Sequence, residues 1–299
     1  MGLSQLTVMY GHLEGNEGKF ARDPSGYLSI ETGIFARHEL EVSWQHVQGT
    51  EERYRRLEEG AAQISLVVGR ASLQHFLTAK TTRILGCAMN SCPYYLIVNP
   101  GIRLLDDLKG KTLACREAPA RNTPLAQTFQ ERSGLRLGQD LALQLPKGDH
   151  DAFNLLVGEK VEAALLPRPF GFWAEDRGFK RVTDWPDTVD DPLPITIETT
   201  AKLLHERQKD FTTFLKAHRE GIRYLKAHRA ETIKLLGAKF DHSASFAGKT
   251  FDDYLVWLDE RLTVDSKLLE RLLSQVAPDT PGGAKQVASE WIMPGALRE

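Results

Sequence analysis

Glu159-Lys160-Val161-Glu162-Ala163-Ala164-Leu165-Leu166-Pro167-Arg168-Pro169 decides how this chain is read. A polar turn feeds a short apolar strand, and the strand stops at two prolines that flank an arginine. An earlier stretch has the same layout: Leu57-Glu58-Glu59-Gly60-Ala61-Ala62-Gln63-Ile64-Ser65-Leu66-Val67-Val68-Gly69-Arg70. Each reads as helix, turn, buried strand, then an arginine just past the strand's carboxyl end. Near-continuous apolar runs such as residues 64–68 mark strands covered on both faces of a parallel sheet. In open α/β sheets, ligands bind outside the carboxyl ends of the strands. One such unit in each half of the chain implies two similar lobes with a ligand cleft between them.

The bulk properties narrow the class. A chain of 299 residues suffices for one large or two medium domains. With 41% hydrophobic, 26% charged and 8% aromatic residues, the composition is globular rather than disordered or fibrous. A net charge of −2 gives no reason to expect nucleic acid, which asks for a basic stripe. No apolar run reaches the roughly 18 residues of a membrane span. Residues 1–20 hold no apolar signal core and no small-residue cleavage site. The location expected is cytoplasmic as the sequence is given, or periplasmic if an export leader was removed. Cys87, Cys92 and Cys115 cannot all pair within one chain, and none sits in a CxxC, so they read as buried small hydrophobes.

Hydrophobic period and breakers sketch the elements. Residues 6–10 read as a first strand, 12–25 as a loop, 26–35 as a helix and 40–44 as a strand. Thr50 is the expected N-cap of the next helix, with Glu51 and Glu52 in its positive first turn. Strands follow at 64–68, 83–88 and 94–98. A second series has strands at 112–114, 141–145, 161–166 and 181–185, and a helix capped by Thr123 with Pro124 at its first position. Residues 195–198 look like a strand returning. From Thr200 onward the pattern is nearly all helix, with an apolar stripe at Phe211, Phe214, Leu215, Ile222 and Leu225 and a later helix over 266–276. This is βαβ repetition twice, then a helical tail.

With that layout the chain resembles the substrate-binding proteins of nitrate-, sulfonate- and taurine-type ABC importers. Thiamine-pyrimidine synthases and desulfinases share that fold. Residues 31–42, Glu-Thr-Gly-Ile-Phe-Ala-Arg-His-Glu-Leu-Glu-Val, match the family's pattern of a G-L-F turn, a charged pair and a strand. Residues 57–64 match L-x-x-G-x-x-D-I, with Gln63 where Asp is usual. Leu105-Asp106-Asp107-Leu108-Lys109-Gly110-Lys111 matches the turn before the second lobe's first strand, and Gly158-Glu159-Lys160-Val161-Glu162-Ala163-Ala164 matches G-x-v-D-A, with Pro167 after it. The resemblance spans about residues 5 to 235. It implies a two-lobe type II periplasmic-binding-protein fold, α/β in class, with the helical C-terminal tail packed on lobe one. Lobe one is then 1–96 plus 196–299, and lobe two 97–195. The synthases' cysteine cluster is absent, and the first loop carries His12 where a desulfinase needs a nucleophilic cysteine.

A cleft of this kind is walled by loops at strand ends. The candidate ligand-binding residues are Tyr10, Gly11 and His12; Gly69 and Arg70; Ser91; Arg116, Arg121, Asn122 and Thr123; and Pro167, Arg168 and Phe170. Arginine's rigid fork of donors suits a carboxylate, sulfonate or phosphate, and Arg70, Arg116, Arg121 and Arg168 come from both lobes. Any one of them serves equally well as a salt-bridged surface group. The helix start at Thr123-Pro124 would add backbone N–H groups. Tyr10, Phe170, Phe172 and Trp173 could stack on a flat ligand or simply fill a lobe core. His12, Glu14 and Glu17 share a loop but have no metal-ligand spacing. His205, His218 and His228 read as solvated helix-face residues.

The expected function is a solute-binding protein that closes by a hinge on a small organic anion for ABC-type uptake. Its partners are the anion and an ABC permease, with no nucleic acid, cofactor or metal. The alternative is an enzyme on the same fold, a decarboxylase, desulfinase or cofactor-precursor synthase, using His12 as acid/base.

Overall fold

The computed structural model describes residues 3–15, 18–116, 124–182 and 188–298. The chain divides into two compact units, Met1–Ser91 with Pro192–Glu299, and Cys92–Asp191.

The first unit opens with β1 (Ser4–Tyr10), whose Leu6, Val8, Met9 and Tyr10 are buried. The segment after it is not the loop expected from its glycines. β2 (His12–Gly15) and β3 (Gly18–Ala21) form an antiparallel hairpin with Gly15 opposite Gly18. Gly18 sits at φ 103, which L side chains rarely adopt, so glycine here serves a tight hairpin end. The helix expected over 26–35 is two, α1 (Ser25–Glu31) and α2 (Ile34–Arg37), broken where Gly33 takes φ 70. Then come β4 (Leu40–His46), α3 (Thr50–Glu58), β5 (Ile64–Val67), α4 (Gly69–Ala79) and β6 (Thr82–Val98). β6 is a single strand of 17 residues where the pattern suggested two, and its first part belongs to this unit.

β4, β1 and β5 are parallel neighbours in that order, with Ser4 opposite Leu40 and Val8 opposite Ile64. All four residues of β5 are buried, as an apolar run in a doubly covered strand requires. Thr50 is not the cap of α3 but its first residue. Gly49, at φ 82, holds the cap position, and no side chain caps the helix. Met9, Val47, Tyr54, Leu57, Ala62 and Val67 form the small core beneath α3.

In the second unit, β7 (Thr112–Ala114), α5 (Pro124–Ser133), β8 (Ala142–Gln144), α6 (Asp149–Val157), β9 (Ala163–Pro167), α7 (Phe170–Glu175) and β10 (Lys180–Arg181) follow one another. The opening stretch of the sequence is thus β9, buried along all five residues. β9 lies parallel to β7, and β7 parallel to β8. The later part of β6 runs antiparallel to β9, with Tyr94 opposite Pro167 and Leu96 opposite Leu165. Leu96, Leu113, Phe129 and Leu165 are fully buried in this unit's core. The expected cap at Thr123 lies outside the described residues. Gly134, at φ 71, ends α5.

The chain then returns to the first unit. β11 (Thr188–Thr200) pairs antiparallel with β5, Ile197 opposite Leu66. α8 (Ala201–Ala227) is capped by Thr200, whose hydroxyl accepts from the Leu203 N–H at 3.1 Å. The stripe expected on α8 is buried. α9 (Arg229–Phe240), α10 (Ala244–Lys249), β12 (Val264–Asp265), α11 (Ser266–Val276), α12 (Gly283–Trp291) and β13 (Leu297–Arg298) complete it. α4, α11 and α12 share a core in which the Phe76 and Trp291 rings stack 5.3 Å apart. Among the described residues no helix is long and apolar enough to cross a membrane.

Candidate functional site

The turn after β1 and the start of α3 meet in the first unit. Between them is a pocket of about 280 Å³, lined by Tyr10, Gly11, His12, Arg22, Asp23, Gln48, Gly49, Thr50 and Arg53, with apolar walls from Leu13, Phe20, Leu66, Val67 and Ile195. That volume is at the small end for ligand pockets and suits a molecule of few heavy atoms.

Arg53 sets its electrostatics. The residue is only 7% exposed. Its Nη1 donates to the Val47 carbonyl at 2.8 Å and its Nη2 to the Thr50 hydroxyl at 3.1 Å, while Nε has no acceptor. Among the described residues no carboxylate forms an ion pair with it. Burial pulls its pKa down from the usual arginine range. A buried cation outside any ion pair is costly, and an anion in the pocket would relieve that cost. The start of α3 reinforces this, because Gln48, Gly49 and Thr50 line the pocket and the cap residue Gly49 has no side chain to offer the helix's first N–H groups.

The floor carries a second polar group. Asp23 is buried, accepting from the Ser25 N–H at 2.9 Å and hydroxyl at 2.5 Å, and its other oxygen lies 2.8 Å from His218 Nε2. Burial pushes the Asp23 carboxyl up, but His218 and the Ser25 hydrogen bonds outweigh it, and the net pKa lies below the usual carboxylate range. His218 is therefore a fully buried partner of Asp23, not the solvated helix-face residue expected. It stands on the apolar face of α8, stacked on Phe214 at 5.4 Å.

On β11, opposite Ser65 of β5, Glu198 is fully buried. Its carboxyl contacts the Ser72 hydroxyl, the Thr196 hydroxyl at 2.7 Å and the Tyr54 hydroxyl at 3.2 Å. Burial pushes its pKa up to about 7 against the hydrogen bonds of Ser72, Thr196 and Tyr54.

An aromatic wall stands at the strand end. Tyr10 hydrogen-bonds Tyr27 at 2.9 Å, and burial together with that bond raises its pKa. His12 stacks on His46 with ring centroids 3.5 Å apart.

Of the residues singled out in the sequence, Tyr10, Gly11 and His12 line this pocket. Gly69 opens α4, where a Cβ would collide with Leu193. Arg70 donates to the Gln275 side chain on α11 at 2.9 Å, and Ser91 lies within β6. In the second unit Arg116 lies over the Tyr94 ring at 5.1 Å, with Asp149 3.9 Å away. Pro167 ends β9. Arg168 is 1% exposed, its guanidinium 3.8 Å from the Tyr95 ring centre and 3.7 Å from that of Phe172. Phe170 packs on Trp173 at 5.4 Å. Arg121, Asn122 and Thr123 lie outside the described residues. Cys87, Cys92 and Cys115 are buried, as read, and burial holds the Cys87 thiol well above its ordinary pKa. Among the described residues no three His, Cys, Asp or Glu side chains gather as a metal site would need.

Sequence reasoning did not single out Arg22, Asp23, Arg53 or Glu198. A signal existed for Arg53: it follows Gly49-Thr50 by one helical turn, which returns its side chain toward the helix start.

No family model and no curated protein matches the sequence. Solved structures do match. The Candida albicans CA3427 gene product, described as having the generic periplasmic binding protein fold, is 12% identical with a TM-score of 0.65, over 99% of this chain and 98% of that one. The putative sulfonate-binding protein SsuA from Methylobacillus flagellatus is 14% identical, TM-score 0.70, over 98% and 92%. The nitrate-binding protein NrtA from Synechocystis is 9% identical, TM-score 0.67, over 97% and 86%. The chain has the periplasmic binding protein fold anticipated from its sequence.

Proposed function

We propose that this chain is a solute-binding protein that takes a small organic anion, a sulfonate or carboxylate, into the pocket of the first unit and delivers it to an ABC-type permease. The observation that carries the reading is Arg53, a buried guanidinium that lines the pocket and, among the described residues, forms no ion pair with a carboxylate. Three further features support it. The uncapped start of α3 adds N–H donors and a positive dipole end. The aromatic and apolar walls suit an organic group beside the charge. Solved structures of the same fold include proteins named for binding sulfonate and nitrate.

The test is a thermal-shift panel of sulfonates, carboxylates, phosphates and aromatic acids, with each hit checked for chemical change. A ligand at about 100 times its Kd stabilises by roughly 2.7 kcal/mol, a rise of several degrees for a chain of this size. An anion recovered unchanged is the expected result. Stabilisation only by cations or neutral sugars contradicts the reading, and consumption of the anion would favour the enzyme alternative.

A further inference from the structure

We propose that Glu198 is a proton-binding site coupled to the anion pocket, so that the first unit takes up a small anion together with a proton. The inference rests on the anion reading above and deepens it.

Hydrogen-bond arithmetic around Thr196 makes the case. Its hydroxyl has one proton and two oxygens within reach, the Val67 carbonyl at 2.8 Å and Glu198 Oε1 at 2.7 Å. A carbonyl only accepts, and an ionised carboxylate only accepts. If the Thr196 proton goes to Val67, the contact with Glu198 is a hydrogen bond only when Glu198 donates. A neutral Glu198 therefore gives the Thr196 contact a proton of its own, whereas an ionised one leaves the single Thr196 proton to serve both Val67 and Glu198.

The neighbours permit a neutral acid and tie it to the pocket. Glu198 is faced by Arg53 and Tyr54 from α3, Ser72 from α4, Ser65 opposite it on β5, and Cys87 on β6. His75 of α4 touches the cluster through Tyr54, on whose ring it stacks at 3.7 Å. Burial raises both the Tyr54 hydroxyl and the Cys87 thiol far above neutrality, so neither exchanges its proton there. Arg53 is the neighbour whose charge favours an ionised Glu198. It also lines the pocket.

The same arginine thus has two claimants. With the pocket empty, Arg53 draws Glu198 toward its ionised form. An anion seated at Arg53 takes over that charge and repels a second negative charge on Glu198, which then binds a proton from solvent. By linkage, the proton must in turn favour the anion. Affinity falls as pH rises above the Glu198 midpoint, by up to about tenfold per pH unit for one coupled proton.

The test is calorimetry of ethanesulfonate binding at about pH 8, in Tris and in triethanolamine, two cationic buffers of different ionisation enthalpy. Wild type is expected to take up a fraction of a proton per anion, and Glu198→Gln clearly less. Tyr54→Phe is the second variant, because it removes a hydrogen bond that favours the carboxylate while leaving the acid. It is expected to keep binding and to move the pH dependence upward. Equal proton uptake by wild type and Glu198→Gln, or none in wild type, overturns the coupling while leaving the anion site intact. Absence of ethanesulfonate binding at every pH overturns the anion reading, and the coupling with it.

Discussion

Arg53 Nη1 lies 2.8 Å from the point where a Cβ on Gly11 would stand, so any larger residue in the turn after β1 would push the guanidinium aside. The first strand's exit and the next helix's first turn are in this way fitted to each other. A substitution in the turn acts on the pocket's charge without touching the ligand.

Gly11→Ala is accordingly expected to displace the Arg53 guanidinium and weaken its bonds to Val47 and Thr50. Anion affinity should fall about tenfold or more, equivalent to ~1.4 kcal/mol. The empty protein should lose ~1–3 kcal/mol or less, since the colliding atom ends a flexible side chain. Titration calorimetry and urea unfolding separate the two effects. Unchanged affinity would mean that Arg53 does not address the ligand.

His218→Ala removes the partner of a buried carboxylate and should cost about 3–5 kcal/mol, read from the urea midpoint. Asp23→Asn placed beside it should recover part of that loss. The wild-type pair also fixes a sign. Because the folded Asp23 pKa is depressed, its contribution is present above the unfolded carboxylate value and disappears as pH falls through the folded one. A loss below about 1 kcal/mol would contradict a buried carboxylate that depends on His218.

Glu198 has the opposite sign. Its folded pKa is raised from 4.5 to about 7, so its stabilisation is complete below 4.5 and is lost as pH rises to about 7. The stability of wild type minus that of Glu198→Gln should therefore decline over this window, by a few kcal/mol to order of magnitude. A flat difference would show that the acid is not neutral in the folded protein.

His12→Ala distinguishes binding from catalysis. Its ring lines the pocket but is stacked on His46, so anion affinity should drop by less than about tenfold, roughly the worth of one hydrogen bond. An anion consumed by wild type and left intact by the variant would make His12 a general acid or base instead.

Much of the architecture was legible because burial writes itself as period. The run Ile64-Ser65-Leu66-Val67 can only be a doubly covered strand, and α11 ends where its stripe ends. The hairpin of β2 and β3 was hidden by its own glycines, which signal a loop and a tight strand end alike. His218 shows a legible residue that was misread. It falls between Phe214, Leu215 and Ile222 on the buried stripe of α8, so position placed it inside while residue type suggested water. Of the pocket, Tyr10, Gly11 and His12 follow from the rule that ligands gather at strand ends. Arg53 and Glu198 do not, because their role comes from tertiary neighbours far away in sequence, Gly11 for the one and Ser72 and Tyr54 for the other.

The central claim is that Arg53 makes this pocket an anion site, and Arg53→Met tests it most directly. The substitution keeps the side chain's length and removes its charge. The measurement is the melting point of variant and wild type, each with and without ethanesulfonate in excess. A buried charge that forms no ion pair among the described residues is lost, so the empty variant should melt at the wild-type temperature or above. The several-degree rise that the anion gives wild type should vanish. An equal rise in both proteins would contradict the claim.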